Sequence, residues 1–179
     1  MYNDLEKVLL TEQEIAKMIS GMGKQISEDY KDKNLLLISV LKGSVVFMSD
    51  LMRSIKIPCK IDFMSVSSYG SGTESTGHVK IIKDLDIDLA GYDLLIVEDI
   101  LDSGNTLYNL KKMLLGRNPK SVKICTFLDK PARRTADIKA DYVGIEVPDD
   151  FVVGYGLDYN ENYRNLPCLG ILKRSVYEN

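Results

Sequence analysis

The stretch Leu95-Ile96-Val97-Glu98-Asp99-Ile100-Leu101-Asp102-Ser103-Gly104-Asn105-Thr106 decides how this chain is read. With Leu94 before it, Leu95 to Val97 is a short unbroken apolar run, the pattern of a strand covered on both faces. Two adjacent acids follow, then a loop of small polar residues. Leu107, Leu110 and Leu114 then recur at helical spacing and predict a helix from about Asn105 to Leu115. In an open α/β sheet, ligands bind outside the carboxyl ends of the strands, and the next helix N-terminus presents unpaired amides to an anion. Gly104 lets the main chain approach a phosphate closely, while Ser103, Asn105 and Thr106 add side-chain donors. Glu98 and Asp99 repel each other, which suits a shared Mg²⁺ or hydrogen bonds from a sugar diol. The plainer alternative is a solvated strand end and an ordinary helix cap. The string is not a G-x-x-x-x-G-K-[ST] loop, and Gly70-Ser71-Gly72 lacks the third glycine of a dinucleotide fingerprint.

Outward from this segment, strand and helix patterns alternate. Thr11 with Glu14 is a capping-box pair, and Ile15, Met18, Ile19, Met22 and Ile26 predict a helix from Glu12 to about Tyr30. A buried strand over Leu35 to Leu41, a helix over Ser44 to Ser54 and strands at Lys60 to Val66, Val79 to Lys83 and Val122 to Leu128 complete a parallel-rich α/β pattern. Between Ser67 and Gly77 the chain is small and polar, the composition of a surface loop. After Asp141 the pieces shorten to Tyr142–Val147, Phe151–Gly154 and Leu169–Leu172, so a less regular C-terminal part is expected within one domain spanning residues 1–179.

The length of 179 residues suffices for one well-buried core. A balance of 23 basic against 26 acidic residues argues against a nucleic-acid or membrane-surface protein. A single histidine, His78, excludes poly-histidine metal sites, which leaves carboxylates and lysines as candidate acids and bases. Cys59, Cys125 and Cys168 form no C-x-x-C pair and read as reduced thiols of a cytoplasmic protein; no signal peptide or membrane span is recognisable.

Val97 to Thr106 resembles the phosphoribosyl-pyrophosphate motif of the type I phosphoribosyltransferases, and the rest of the chain resembles their hypoxanthine-guanine branch. The likeness runs from Ile38-Ser39-Val40-Leu41-Lys42-Gly43 through Phe151-Val152-Val153-Gly154-Tyr155-Gly156-Leu157-Asp158-Tyr159-Asn160-Glu161 to Arg164. It implies the type I fold, a mostly parallel sheet flanked by helices with a small irregular C-terminal hood. It also implies transfer of a phosphoribosyl group from phosphoribosyl pyrophosphate to a 6-oxopurine.

By that resemblance, Asp102, Ser103, Gly104, Asn105 and Thr106 hold the 5′-phosphate, and Glu98 and Asp99 meet the ribose hydroxyls directly or through Mg²⁺. Asp102 also takes the proton from purine N7. Lys42 and Gly43, at a turn with a non-proline cis peptide, meet the pyrophosphate together with Arg164. Lys130 faces O6 of the base, Phe151 stacks on it, Val152 supplies main-chain bonds, and Asp158 lies beside it and assists a second Mg²⁺. Ser68 and Tyr69 belong to a closing loop that excludes water. Asn105 replaces a residue that is often basic in the family, and His78 takes no role. The resemblance further implies a homodimer or homotetramer. Without it, Lys130 with Arg133 and Arg134 reads as a solvated charge cluster, Phe151 as core and Asp102 as a helix cap. Two functions remain open: the enzyme, and a regulatory module on the same fold that senses phosphoribosyl pyrophosphate and binds nucleic acid. The acidic balance and the presence of Asp102, Lys130, Phe151 and Asp158 favour the enzyme.

Overall fold

Alternate residues of the central strands serve opposite faces of one sheet, and that alternation organises the molecule. The protein is represented by a computed structural model that describes residues 1–68 and 79–178. Its elements are β1 (Leu5–Leu10), α1 (Glu12–Asp29), β2 (Leu35–Val40), α2 (Val45–Ser54), β3 (Cys59–Ser68), β4 (Val79–Lys83), β5 (Asp93–Leu101), α3 (Asn105–Leu115) and β6 (Ser121–Asp129). They continue with β7 (Tyr142–Glu146), β8 (Val152–Val153), β9 (Leu169–Leu172) and a short α4 (Arg174–Tyr177).

The main sheet has the order β4-β3-β2-β5-β6-β7, parallel except for the antiparallel β3–β4 pair. Leu35, Leu37, Leu95, Val97, Cys125 and Phe127 point to one side and pack against Ile15, Ile19 and Ile26 of α1 and Phe47, Met48 and Leu51 of α2. Leu36, Ile38, Leu94, Ile96 and Ile124 point to the other and meet Leu107, Leu110 and Leu114 of α3. Covered on both faces, β2 is buried along its whole length, as its apolar sequence requires. The capping box at Thr11 is formed: the Thr11 hydroxyl accepts from the Glu14 amide at 3.3 Å and the Thr11 amide donates to the Glu14 carboxylate at 2.8 Å. Strands are added on one side of β2 as far as β4 and then on its other side from β5, so the order of winding reverses between the parallel β2 and β5, whose carboxyl ends border the crevice where ligands sit in such folds.

Two expectations need correcting. The hood is not purely C-terminal: the N-terminal β1 joins β8 and β9 in an antiparallel sheet of order β1-β9-β8, while residues 154–168 between β8 and β9 are irregular as expected. Leu5, Val153, Leu166, Cys168 and Leu172 make a small core of their own beneath it. Second, β5 extends to Leu101, so Glu98 and Asp99 belong to the strand rather than following it. Tyr69 of the expected closing loop, Gly70-Ser71-Gly72 and His78 lie outside the described residues, and of Ser68 only its place at the end of β3 is described.

Candidate active site

Because Glu98 and Asp99 are neighbours in a strand, their side chains leave opposite faces. Glu98 lines a cavity of about 270 Å³ with Val40, Leu41, Ser103, Gly104 and Thr106. Asp99 lines a second, of about 260 Å³, with Lys130, Arg133, Phe151, Val152, Leu157 and Asp158. The two acids therefore open into different, adjoining cavities. Asp102 lines both cavities. Its Oδ1 is buried with no hydrogen-bond partner among the described residues, and the residue at the N-cap of α3 is Gly104, so Asp102 does not cap the helix.

Gly104 holds φ at +82°, a conformation that favours glycine, and so turns the chain from β5 into α3. Asn105 and Thr106 are exposed in the first turn of α3, and Asn105 Nδ2 donates to Thr135 Oγ1 at 3.1 Å. On the facing side, the Leu41–Lys42 peptide is cis. Ser44 fastens this turn from below, sharing a hydrogen bond of 2.7 Å with Ser39 and donating to the Val40 carbonyl. A Cβ on Gly43 would come within 1.7 Å of Asp99 Oδ2, and one on Gly156, at φ +101°, within 2.1 Å of the Gly43 carbonyl oxygen. Three segments thus converge at a point where no side chain fits.

Lys42 projects into solvent and pairs with Glu161 at 3.2 Å. Arg164 is held by Asp158 at 2.8 Å, by Glu161 at 3.4 Å and by the Gly156 carbonyl at 2.9 Å, while its Nε has no partner among the described residues. Glu161 bridges the two cations. Their hydrogen bonds, Lys42 first, hold its carboxyl below the ordinary range. Opposite conditions act deeper in. Burial, reinforced by Asp99, pushes the Glu98 carboxyl well above its ordinary value, and burial likewise raises Asp99.

Lys130 corrects the expectation of a solvated cluster: it is 5% exposed, and its ammonium donates to the Asp150 carbonyl at 2.8 Å, leaving further donors for a ligand. Arg133 pairs with Asp149. Arg134 is turned inward, bonded to the carbonyls of Asp102, Leu101 and Ile138 at 2.9, 3.0 and 2.8 Å and to Asp129. Phe151 is not core. It is 38% exposed and stacks on Tyr177 with centroids 5.1 Å apart. Val152, in β8, is buried beside it.

The structure brings Glu98, Asp99, Asp102, Ser103, Gly104, Thr106, Lys130, Phe151, Val152 and Asp158 around two adjoining cavities, with Lys42, Gly43 and Arg164 linked to them through Asp99 and Asp158. The sequence reading missed Arg134 and Glu161; the bridging carboxylate had only its place in the Asp158–Arg164 string as a signal. Among the described residues no three His, Cys, Asp or Glu side chains are clustered to hold a metal by themselves. Isolated carboxylates opening into a cavity fit Mg²⁺, which keeps waters and takes one or two protein carboxylates plus substrate phosphates.

The family model described as "Phosphoribosyl transferase domain" matches residues 7–160. The hypoxanthine-guanine phosphoribosyltransferase of Bacillus subtilis is 56% identical over 178 residues, covering 99% of each chain. The chain belongs to the hypoxanthine-guanine phosphoribosyltransferase family. A crystal structure of a hypoxanthine phosphoribosyltransferase from Staphylococcus aureus superposes with a TM-score of 0.98 at 54% identity, covering 100% of this chain and 97% of that one. A hypoxanthine-guanine phosphoribosyltransferase from Bacillus anthracis, solved with HEPES in the active site, gives 0.91 at 46% identity over 94% of this chain and 99% of that one. This phosphoribosyltransferase chain therefore has the type I fold across the main sheet and the hood alike.

Proposed function

We propose that the protein transfers the phosphoribosyl group of phosphoribosyl pyrophosphate to hypoxanthine or guanine, giving the nucleoside 5′-monophosphate and pyrophosphate as a purine-salvage enzyme. One observation carries the reading: Asp102, whose Oδ1 has no partner among the described residues, is shared by a cavity lined by Ser103, Gly104 and Thr106 and a cavity bearing Lys130 and Phe151. The phosphate sits in the first on main-chain amides and the hydroxyls of Ser103 and Thr106, with Asn105 at its edge. The base lies in the second, its face on Phe151, its edge on the main chain of Val152, and its O6 accepting from the Lys130 ammonium. Breaking the C1′–O bond sends the electron pair to pyrophosphate, whose charge Lys42, the Gly43 amide and Arg164 stabilise. Purine N9 bonds to C1′, and the proton on N7 passes to the Asp102 carboxylate.

Glu98 and Asp99 approach the ribose from its two sides, and Asp99 and Asp158, which line one cavity, would hold Mg²⁺. A Mg²⁺ ion held there would supply charge neutralisation to the leaving group. Ser68 and Tyr69 are assigned to closure over the site on the family resemblance alone. Cytoplasmic location fits three free cysteines and the finding that, among the described residues, no helix is long and apolar enough to cross a membrane. We assign a homodimer or homotetramer as the working assembly. The regulatory alternative loses ground because the named relatives are enzymes. Mixing the protein with phosphoribosyl pyrophosphate, Mg²⁺ and hypoxanthine or guanine is the direct test; inosine or guanosine monophosphate is expected, and no product with any 6-oxopurine overturns the reading.

A further inference from the structure

Arg134 lines neither of the two cavities, yet it is tied to the main chain that shapes both. We propose that Arg134 is a positioning residue for the transfer reaction, holding the Leu101–Ser103 backbone so that the Asp102 carboxyl and the phosphate-loop amides face the substrates. The proposal rests on the site reading given above.

Its guanidinium serves four acceptors from three nitrogens. Nε donates to the Asp102 carbonyl at 2.9 Å, Nη2 to the Leu101 carbonyl at 3.0 Å and to Asp129, and Nη1 to the Ile138 carbonyl at 2.8 Å. The next carbonyl, of Ser103, accepts from the amides of Thr135 and Ala136 at 3.0 and 3.1 Å. Three successive carbonyls are thereby drawn toward residues 134–136. A trans peptide points the following N–H the opposite way, so the amides of Asp102, Ser103 and Gly104 are turned from that segment and left for an anion. Gly104 rests on the same ledge: a Cβ there would come within 2.6 Å of Ile138 Cγ2 and 3.0 Å of Arg134 Cδ. Arg134 is the one side chain of this segment that reaches both Leu101 and Asp102, and its partner Asp129 ends β6 one residue before Lys130. Lysine is no substitute, because a single ammonium cannot span carbonyls that a planar fork reaches in different directions.

The test uses Arg134→Met and Arg134→Lys, with folding followed by circular dichroism and Tm. Expected for both is a fall of more than about tenfold in kcat/KM for phosphoribosyl pyrophosphate, since small displacements of reacting groups are costly. KM for hypoxanthine should change less than about twofold, because Lys130 keeps its Asp150 anchor. Guanidinium ion should restore part of the turnover of Arg134→Ala. Wild-type kcat and KM in Arg134→Met, or a uniform loss of active protein that tracks a lowered Tm, overturns the proposal. Asp102→Asn is measured alongside. Its inactivity beside an unaffected Arg134→Met rejects the role of Arg134 alone, whereas full turnover by Asp102→Asn rejects the site reading on which that role depends.

Discussion

Asp102 carries a buried carboxyl oxygen that nothing among the described residues satisfies, an arrangement that costs stability and that the substrate proton of the proposed reaction would relieve. Asp102→Asn keeps the shape and removes the proposed base. Its kcat should fall by roughly 10²- to 10⁴-fold, the usual span of general-base effects, while calorimetry finds the affinity for the nucleotide product within a few-fold of wild type. Lys130 makes a second, independent case. Its buried ammonium offers only donors, so it suits a carbonyl at purine C6 and disfavours an amino group there. In Lys130→Ala the ratio of kcat/KM for hypoxanthine over adenine should shrink by tenfold or more; an unchanged ratio would mean that selectivity resides elsewhere. Asp102 was legible as part of a small polar loop after a buried strand, but its role and that of Lys130 came only from the family resemblance, without which they read as a helix cap and a solvated charge. Arg134 was not legible, since its partners are main-chain carbonyls that leave no trace in residue identity.

At the level of elements, β2 and β5 announced themselves as apolar runs, β6 as an apolar-rich stretch interrupted by Lys123 and Thr126, and α1 and α3 by their spacing and, for α1, its capping box. The end of β5 was misjudged because acids inside a strand look like its terminus. β1 escaped notice because its outward Glu6 and Lys7 mask a strand that buries little beyond Leu5. The stretch after β4 and the end of α3 are joined by a bidentate pair, Arg117 to Asp84 at 2.7 and 2.9 Å. Hydrogen bonding by Arg117 holds the Asp84 carboxyl below its ordinary value near 4. The folded state therefore keeps this charge at lower pH than the unfolded chain does. Its stabilisation is complete above about pH 4 and is lost as pH falls through the depressed folded value. With Asp84 about half exposed, at most about 1 kcal/mol is at stake. Arg117→Met should lower Tm slightly at pH 7, and its gap to wild type should close as pH drops below 4; a constant gap would show that Arg117 acts through packing instead.

For the whole molecule, the two sheets divide the labour of the proposed reaction. The six-stranded sheet positions Asp102 and the proposed phosphate loop, whereas β8 of the smaller sheet brings Val152 beside Phe151 and the cavity proposed for the base. Leu5 of β1 packs against Gly170 of β9 and is 8% exposed, so it fastens the smaller sheet from its far edge. Leu5→Ala should cost about 2–3 kcal/mol, within the range for buried leucines. Its signature should be a raised KM for the purine with KM for phosphoribosyl pyrophosphate nearly constant, and a parallel rise in both would contradict the division. The same sheet has a temporal consequence. Because β9 lies between β1 and β8, pairing Leu5 with Leu172 and Val152 with Ile171, a chain leaving the ribosome can complete its six-stranded sheet while the place for the base still waits on the last strand to emerge.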